Sequence, residues 1–304
     1  MKKFIALGFF ALIFGSISSC DRVKQPKILV EDVDPDLYPG NFAEYTAPTF
    51  APNTNTLRNV LIEDFTGHKC SGCPNAAAIA HSLEVANPGR VFVATIHAGP
   101  SNNGMSYFQS TSAPDFTYDF TNPEGLEIAS TFYQLDVGFG NNPSGTVNRI
   151  SDESSSFVFH QGQWTDLTSN TLESELKVNL QAKSNYFPET KGVYLHVESE
   201  FLETLEGTYN IVAYAIQKKI IATQQVGSEI DFDYEHHNVH LGNVFNETWG
   251  RTITHGTTQA GTKIVSNLSY QIPSDLTKEE IHFQIFVYNR DTYEIMHVIE
   301  HEIE

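Results

Sequence analysis

The sequence predicts an α/β half followed by an antiparallel β-sandwich. Up to about residue 176, segments with strand and helix patterns alternate, which is typical of an α/β arrangement. After Lys177 the segments become short, alternate between apolar and polar residues, and are rich in Val, Ile, Tyr and Phe, as antiparallel strands are. The length of 304 residues and the 40% of hydrophobic residues suffice for about two packed domains.

Charge and cysteine content exclude several classes of function. The net charge is −19, from 18 basic and 37 acidic residues, and such a surface repels the phosphates of nucleic acid. Three cysteines are too few for a disulfide scaffold or for a zinc site made of cysteine alone. The positions of these cysteines therefore become the most informative feature of the chain.

The first residues have the pattern of a secretory signal, which we assign to residues 1–19. A basic tripeptide opens the chain, residues 4–17 are almost purely apolar, and small residues precede Cys20. The apolar run is too short to span about 30 Å of hydrocarbon, which requires about 20 residues. We therefore expect the chain to be exported rather than held by a membrane-spanning helix.

Cys20 is the predicted site of lipid attachment. The tetrapeptide that ends at Cys20, Ile-Ser-Ser-Cys, resembles the bacterial lipobox, in which signal peptidase II cuts before a cysteine that is then diacylated. Acyl chains contribute about 0.8 kcal/mol per buried CH₂, so an acylated Cys20 would hold the protein on a membrane. Ordinary cleavage beside a bystander cysteine and an uncleaved anchor stay open as alternatives. Residues 20–56, rich in proline and acidic residues, are expected to form a flexible tether.

The α/β half is predicted from local patterns between residues 57 and 176. Buried strands alternate with helices, and Gly, Asn or Pro residues separate them. The predicted strands are 59–65, 90–97 and 145–150; the predicted helices are 74–86, 124–135 and about 163–176; a long polar insertion covers 98–123.

The motif Cys70-Ser71-Gly72-Cys73 follows the first strand and lies at the predicted start of a helix. A helix start offers unpaired N–H groups and a partial positive charge, both of which favour a thiolate. Lys69 adds a nearby cation. Because Cys73 lies about one turn into the predicted helix, it could attack a mixed disulfide formed at Cys70. The spacing therefore indicates thiol–disulfide exchange.

The element order and the residues around the motif resemble the thioredoxin fold over residues 57–176. Asp64 lies six residues before Cys70, where thioredoxin-like proteins carry an acid that relays the proton of the second cysteine. Pro143 precedes a strand, as does the cis-proline that faces the cysteine pair in those proteins. The resemblance implies these roles: Cys70 as nucleophile, Cys73 as resolving cysteine, Asp64 as proton acceptor, and Asn142 with Pro143 as substrate-docking residues.

Three other interpretations of the cysteine pair stay open. The pair could form a purely structural disulfide, whose four-residue loop contributes only about 2 kcal/mol in the chain-entropy treatment. It could bind zinc together with His68 and either His81 or His97. It could also be a redox-capable but unused pair in a thioredoxin fold that is kept for binding.

The second half is predicted to contain eight short strands separated by turns. The histidine-rich stretch 235–240 is predicted to be a polar loop between two of them, with a metal-binding or pH-sensing role as the alternative. The predicted strands are 177–183, 192–201, 208–217, 219–226, 238–247, 262–272, 281–289 and 294–303.

Several short motifs together are similar to the outer-membrane-protein-28-related lipoproteins of certain Gram-negative bacteria. The resemblance implies a lipid-anchored outer-membrane protein with a thioredoxin-like domain over 57–176 and an immunoglobulin-like sandwich over 177–304. Surface receptor or adhesin roles have been suggested for that family. The motifs are residues 61–67, Cys70-x-x-Cys73-Pro74, Asn142-Pro143 with residues 147–149, and Trp249-Gly250.

Two functions therefore compete. The first is thiol–disulfide exchange on envelope proteins, which requires neither a bound cofactor nor a metal. The second is non-enzymatic binding at the cell surface, in which the acidic, aromatic-rich sandwich recognises a protein or a glycan and the cysteine pair is structural or unused. Both predict a location at the outer membrane, on its periplasmic or its cell-surface face.

Overall fold

A computed structural model describes residues 33–244 and 247–304. The predicted signal peptide at 1–19 and the predicted lipidation site Cys20 lie outside the described residues. Within those two ranges the chain is a mixed α/β structure, mostly strands with few helices, in two sheets. The helices are α1 (Cys73–Ala86), α2 (Pro123–Gln134) and α3 (Trp164–Leu172). The strands are β1 (Val60–Thr66), β2 (Val91–His97), β3 (Ser144–Val147), β4 (Val178–Phe187), β5 (Gly192–Phe201), β6 (Leu205–Val226), β7 (Glu229–Asn243), β8 (Arg251–Thr258), β9 (Lys263–Gln271), β10 (Ile281–Asn289) and β11 (Ile295–Glu302).

One large sheet runs through both halves of the chain. Its strand order is β11-β10-β6-β7-β2-β1-β3. In addition, β8 pairs with the N-terminal part of β6, residues 205–211. β1 and β2 are parallel, β3 is antiparallel to β1, and β7 joins β2 in parallel through the pairing of Thr95 with Val239. The two predicted halves therefore share a continuous hydrogen-bonded sheet.

β1 and β2 are buried along their whole length because both faces of the sheet are covered. On one face, alanines of α1 pack on Val60 and Ile62 of β1. On the other face, Leu61 and Phe65 of β1 lie in a core with residues of α2, β6, β10 and β11. This double coverage explains why the strands are continuous apolar runs rather than alternating ones.

A smaller sheet of order β4-β5-β9 faces β6 and β10 of the large sheet. All its pairings are antiparallel. The alternating apolar residues of these strands meet in a second core, as two packed sheets require. Members of this core from the small sheet are Val178, Leu180, Val193, Leu195, Val197 and Leu268, and members from the large sheet are Ile211, Ala213, Phe283, Ile285 and Val287.

Two of the predicted strands, 208–217 and 219–226, form a single strand of 22 residues, β6. Where the two predicted strands meet, Lys218 pairs with Glu302 of β11, which lies beyond β10 in the sheet, and Lys219 pairs with Glu235 of the adjacent β7. β8 has no predicted counterpart, because its sequence is polar and only one of its residues is buried.

Residues 33–56, predicted to belong to a flexible tether, lie along the small sheet. Val33 and Leu37 are buried together with Tyr194 of β5. The Tyr45 hydroxyl lies 2.7 Å from Asn185 Oδ1 and 2.7 Å from His196 Nε2. The proline and acid content of this segment predicted a flexible tether, but its apolar and aromatic residues pack on the small sheet without forming a strand. In the described ranges, no helix is long and apolar enough to cross a membrane.

Candidate functional site

Cys70 and Cys73 form a disulfide at the entrance to α1, with their Cα atoms 5.4 Å apart. Cys73 is the first residue of the helix rather than one turn into it, and Cys70 lies in the preceding turn. That turn is closed by backbone hydrogen bonds from Cys70 N to Gly67 O and from Cys73 N to Cys70 O. Pro74 follows in the first helical turn, where its missing N–H removes no helical hydrogen bond.

Both cysteines are buried, with only 2% of Cys70 and 1% of Cys73 exposed. A hairpin formed by the end of β6 and the start of β7, residues 219–237, reaches over this loop, and we call it the β6–β7 arm. Gln224 Nε2 donates to Cys70 O at 3.1 Å. Two backbone bonds from the arm, to His68 O at 2.7 Å and to Ser71 O at 3.1 Å, complete the contact. The sequence interpretation assumed an accessible thiolate at Cys70, whereas the fold covers the pair.

The Asn142–Pro143 peptide bond is cis, as the resemblance implies. Pro143 faces the cysteine loop, since a Cβ placed on Gly72 would lie 3.8 Å from Pro143 Cδ. The Asn142 side chain is buried, and its Nδ2 donates to Phe65 O and to Ala98 O, each at 2.9 Å. It thereby fixes the ends of β1 and β2 at the site, and its predicted role in docking substrate stays a prediction.

Asp64 lies in β1 on the same face as Ile62, the face that α1 covers, because side chains alternate along a strand. The residue is fully buried, and neither carboxylate oxygen has a hydrogen-bond partner among the described residues. Burial raises the pKa of Asp64 from its ordinary 3.8 to about 7. A carboxyl group of this kind can take up or release a proton near neutral pH.

Two buried histidines lie on the same side of the sheet; from the sequence, His97 was considered only as a zinc ligand beside the cysteine pair and His236 only within the stretch 235–240. His97 ends β2 and His236 belongs to β7; the Phe120 ring stands 4.2 Å from His97 and 4.4 Å from His236, centroid to centroid. Neither nitrogen of His97, nor His236 Nε2, has a partner in the described ranges. Burial lowers the pKa of His236 to about 4 and that of His97 well below its usual value, so both rings are neutral at pH 7.

The prediction of a polar loop at 235–240 is wrong. These residues belong to β7, and His236 and His240 are both buried. The stretch pairs with β6 and, through Val239, with β2, so its histidines are buried by contacts with distant segments that a local polar pattern does not reveal. In the residues that the structure describes, no group of three or more His, Cys, Asp or Glu side chains is placed to hold a metal ion.

A cavity of about 290 Å³ opens beside Cys73, between α1 and β7. Its walls are mainly apolar, and histidines and glutamates stand at its rim. Glu84 Oε1 of α1 accepts a hydrogen bond from Asn238 Nδ2 of β7 at 2.9 Å, which ties the two walls together. The lining includes Thr66, Cys73, Pro74, Ala77, His81, Glu84, Tyr234, Glu235 and His237.

Comparison with known proteins gives one family and a set of similar structures. The model of the family described as "Outer membrane protein Omp28" matches residues 131–304, a segment that contains Asn142 and Pro143 but not Asp64, Cys70 or Cys73. No curated protein sequence matches the chain.

Two solved structures from Porphyromonas gingivalis are similar to this chain. One, HBP35, is 14% identical with a TM-score of 0.58, over 83% of this chain and 77% of that one. The other, a domain of the outer membrane lipoprotein Omp28, is 19% identical with a TM-score of 0.30, over 42% of this chain and 88% of that one. The likeness to HBP35 indicates a shared fold.

Proposed function

The chain belongs to the Omp28 family of outer membrane proteins, and we propose that it is a lipid-anchored envelope protein that performs thiol–disulfide exchange. In this proposal Cys20 carries the acyl chains, residues 57–176 form a thioredoxin-like domain, and residues 177–304 form an immunoglobulin-like sandwich. The substrates are envelope or surface proteins. They lie on the periplasmic or the cell-surface face of the outer membrane.

The observation that carries this proposal is the arrangement of the disulfide. The Cys70–Cys73 bond lies at a helix entrance and the cis-proline Pro143 faces its loop. Asp64, a buried carboxyl group with a pKa of about 7, lies on the same face of the sheet. A structural disulfide alone does not require an unpartnered buried acid on that face of the sheet.

The exchange step follows from these positions. A substrate thiolate attacks Cys70 Sγ, the Cys70–Cys73 bond breaks, and Cys73 leaves as a thiolate that can take the proton of Asp64. The second substrate thiol loses its proton, which can return to Asp64, and its sulfur attacks the substrate sulfur of the mixed disulfide, so that Cys70 leaves as a thiolate. The substrate then holds a disulfide and the chain holds the Cys73 thiol and the Cys70 thiolate, so two electrons have moved to the chain. The reverse sequence reduces a substrate disulfide.

Burial of the pair adds a requirement to this step. A substrate sulfur must approach Cys70 within bonding distance, and the β6–β7 arm covers that approach. The arm must therefore move before exchange occurs. The hydrogen bonds from Gln224, Gln225 and Gly227 to the cysteine loop are the contacts that open.

Trapping of mixed disulfides tests the exchange function. Replacing Cys73 with Ala leaves Cys70 without its resolving partner, so a substrate attached to Cys70 cannot be released. We expect the Cys73→Ala protein to accumulate disulfide-linked adducts in cells, and the Cys70→Ala, Cys73→Ala double variant to accumulate none. A folded Cys73→Ala protein that forms no adducts, although a small alkylating reagent modifies Cys70, would contradict exchange.

A second candidate is a non-enzymatic binding protein of the envelope in which the disulfide is structural. The near-complete burial of both cysteines under the arm favours it, because structural disulfides are inert and covered. In that case the Cys70→Ser, Cys73→Ser variant would keep both its partner binding and its phenotype. Loss of the phenotype in a variant that folds and is exported normally would exclude this candidate.

A further inference from the structure

The β6–β7 arm exposes large apolar side chains at its outer end. Ile221 is 57% exposed and Phe232 is 58% exposed, and Val226 and Ile230 are exposed on the same hairpin. Large apolar residues that gather on one exposed element commonly mark an interaction site. These four residues are distinct from Gln224, which faces the cysteine loop.

Ile221 and Phe232 form one wall of a groove of about 220 Å³. The opposite wall comes from the polar insertion, in which Phe116 and the 43% exposed Tyr118 line the groove. The groove therefore has aromatic or aliphatic groups on both sides. Such walls suit a single apolar side chain inserted between them.

The rim of the groove is acidic. Asp115 lies in the lining, Asp119 lies near the lining residue His68, and Asp233 is exposed beside Phe232 on the arm. The lining contains no lysine or arginine; Lys69, whose Nζ lies 5.6 Å from the centroid of the Phe116 ring, donates to Ser110 Oγ and is outnumbered by these carboxylates. Burial lowers the pKa of His68, the histidine of the lining, so that it adds no positive charge at pH 7. Charge complementarity therefore calls for an occupant that carries positive charge.

We propose that this groove docks a polypeptide segment in which an apolar or aromatic side chain is flanked by lysine or arginine. The apolar side chain lies between Phe232 and Tyr118, and the basic groups meet Asp115 and Asp119. A second copy of this chain is a poorer occupant, because its own net charge of −19 opposes the acidic rim. This docking site stands independently of whether the cysteine pair is active.

A direct binding measurement with the full-length protein tests the proposal. The probe is a fluorescein-labelled peptide of sequence GKFKLKG, followed by fluorescence anisotropy at low salt. Two further peptides serve as references, GEFELEG with reversed charge and GKSKGKG without apolar side chains. We expect GKFKLKG to bind at least about tenfold more tightly than either, since charge and burial both contribute.

Variants on the groove locate the binding. Phe232→Ser and Ile221→Ser change exposed side chains, so both should fold, and we expect each to weaken GKFKLKG binding by about tenfold. Asp115→Asn should weaken it less and reduce its dependence on salt. Matched controls are Leu202→Ser and Glu153→Gln, which lie outside the groove and should leave binding unchanged.

Several results would overturn the inference. These are the absence of GKFKLKG binding, equal binding of the acidic peptide, and binding that survives Phe232→Ser and Ile221→Ser in folded protein. Sedimentation gives a further check. If the protein dimerises and Phe232→Ser abolishes the dimer, the groove is a self-association surface instead.

Discussion

Glu63 and Asp64 are consecutive residues of β1, both fully buried, and their carboxyl groups lie on opposite faces of the sheet in opposite electrostatic surroundings. Burial on its own would raise the pKa of Glu63, but the charge and hydrogen bonds of Arg149 hold it below its ordinary value. Asp64 has no such partner, so burial raises its pKa to about 7. One strand therefore carries on one side a carboxylate whose ionised form is stabilised and on the other a carboxyl group that titrates near pH 7.

The Glu63 side of β1 joins the two halves of the chain. Arg149 Nη2 and Nε donate to the two carboxylate oxygens of Glu63 at 2.6 and 2.7 Å. The Tyr214 hydroxyl of β6 donates to Glu63 Oε1 at 2.8 Å. The Arg149 guanidinium also lies over the rings of Phe132, Phe286 and Tyr288. A network of charged and polar side chains thus connects the two predicted halves of the chain, which were expected to meet near residue 176.

Replacing Asp64 with Asn should change how stability depends on pH. The folded pKa of about 7 exceeds the ordinary 3.8, so the folded state holds its proton more tightly than the unfolded state. Stability from this group is therefore lost as pH rises from about 4 to about 7. The total loss is at most about 4 kcal/mol, at about 1.4 kcal/mol per pKa unit. Asp64→Asn should escape this loss, as urea unfolding at pH 4, 5.5 and 7.5 would measure.

The exposed Asp152 provides the matched control for this measurement. The Asp152→Asn protein should lose free energy of unfolding between pH 4 and pH 7.5 as the wild type does. A difference between the wild type and Asp64→Asn that is the same at all three pH values would mean that Asp64 does not titrate in this range.

Breaking the Glu63–Arg149 pair should be among the most destabilising single changes in the chain. Glu63→Gln leaves the Arg149 charge buried without a counter-ion, which typically costs about 3–5 kcal/mol. Since the pKa of Glu63 is lowered from 4.5, the stability it provides is complete above about pH 4.5 and is lost as pH falls further.

A double-mutant cycle measures this pair by chemical denaturation. Glu63→Gln, Arg149→Met should recover part of the lost free energy of unfolding, because it removes both charges. If Glu63→Gln unfolds at the same denaturant concentration as the wild type, the pair does not support the fold.

Weakening the arm should expose the disulfide. Gln224→Ala removes the side-chain bond to Cys70 O, and a bond worth about 1 kcal/mol corresponds to about fivefold more of the open form. We expect the Cys70–Cys73 disulfide to be reduced by dithiothreitol about fivefold faster, as followed by alkylation and mass spectrometry. Gln134→Ala, an exposed glutamine of α2, is the control. An unchanged reduction rate in Gln224→Ala would show that the arm does not limit access.

A fragment of residues 57–176 should not fold cooperatively on its own. It would lack β7, the neighbour of β2, and Tyr214, which completes the Glu63 network. It would also expose the core that Leu61 and Phe65 share with β6 and β10. Thermal unfolding and amide NMR dispersion would test this, with the full chain as reference. A sharp transition and dispersed amides in the fragment would show an independent domain.

Local sequence patterns predicted most of the regular elements. The first two strands and α1 lie within one or two residues of their predicted bounds, because each is a continuous apolar or alanine-rich run between clear stops. β3 ends earlier than predicted, at Val147. Asn148 and Arg149 adopt positive φ values of 48° and 51°, which no strand pattern signals.

The candidate site was predicted only in part. Cys70 and Cys73 were singled out because their motif is a short-range feature, and Asp64 and Pro143 because of the resemblance to the thioredoxin fold. His97 was considered only as a zinc ligand and His236 was not assigned to the site, since a histidine in a strand gives no sign of what will cover it. β7 carries His236 beside β2, although 138 residues lie between His97 and His236 in the sequence.

The sequence by itself determined the first two strands, α1 and the place of the cysteine pair, because each of these depends on neighbouring residues. The tertiary structure alone decided that the pair is covered. Gln224, 154 residues beyond Cys70, reaches the cysteine loop only because β6 is long enough to extend past its sheet partners and fold back as a hairpin. Periodicity shows which side of a strand is buried, but the surface that buries it comes from packing between distant segments.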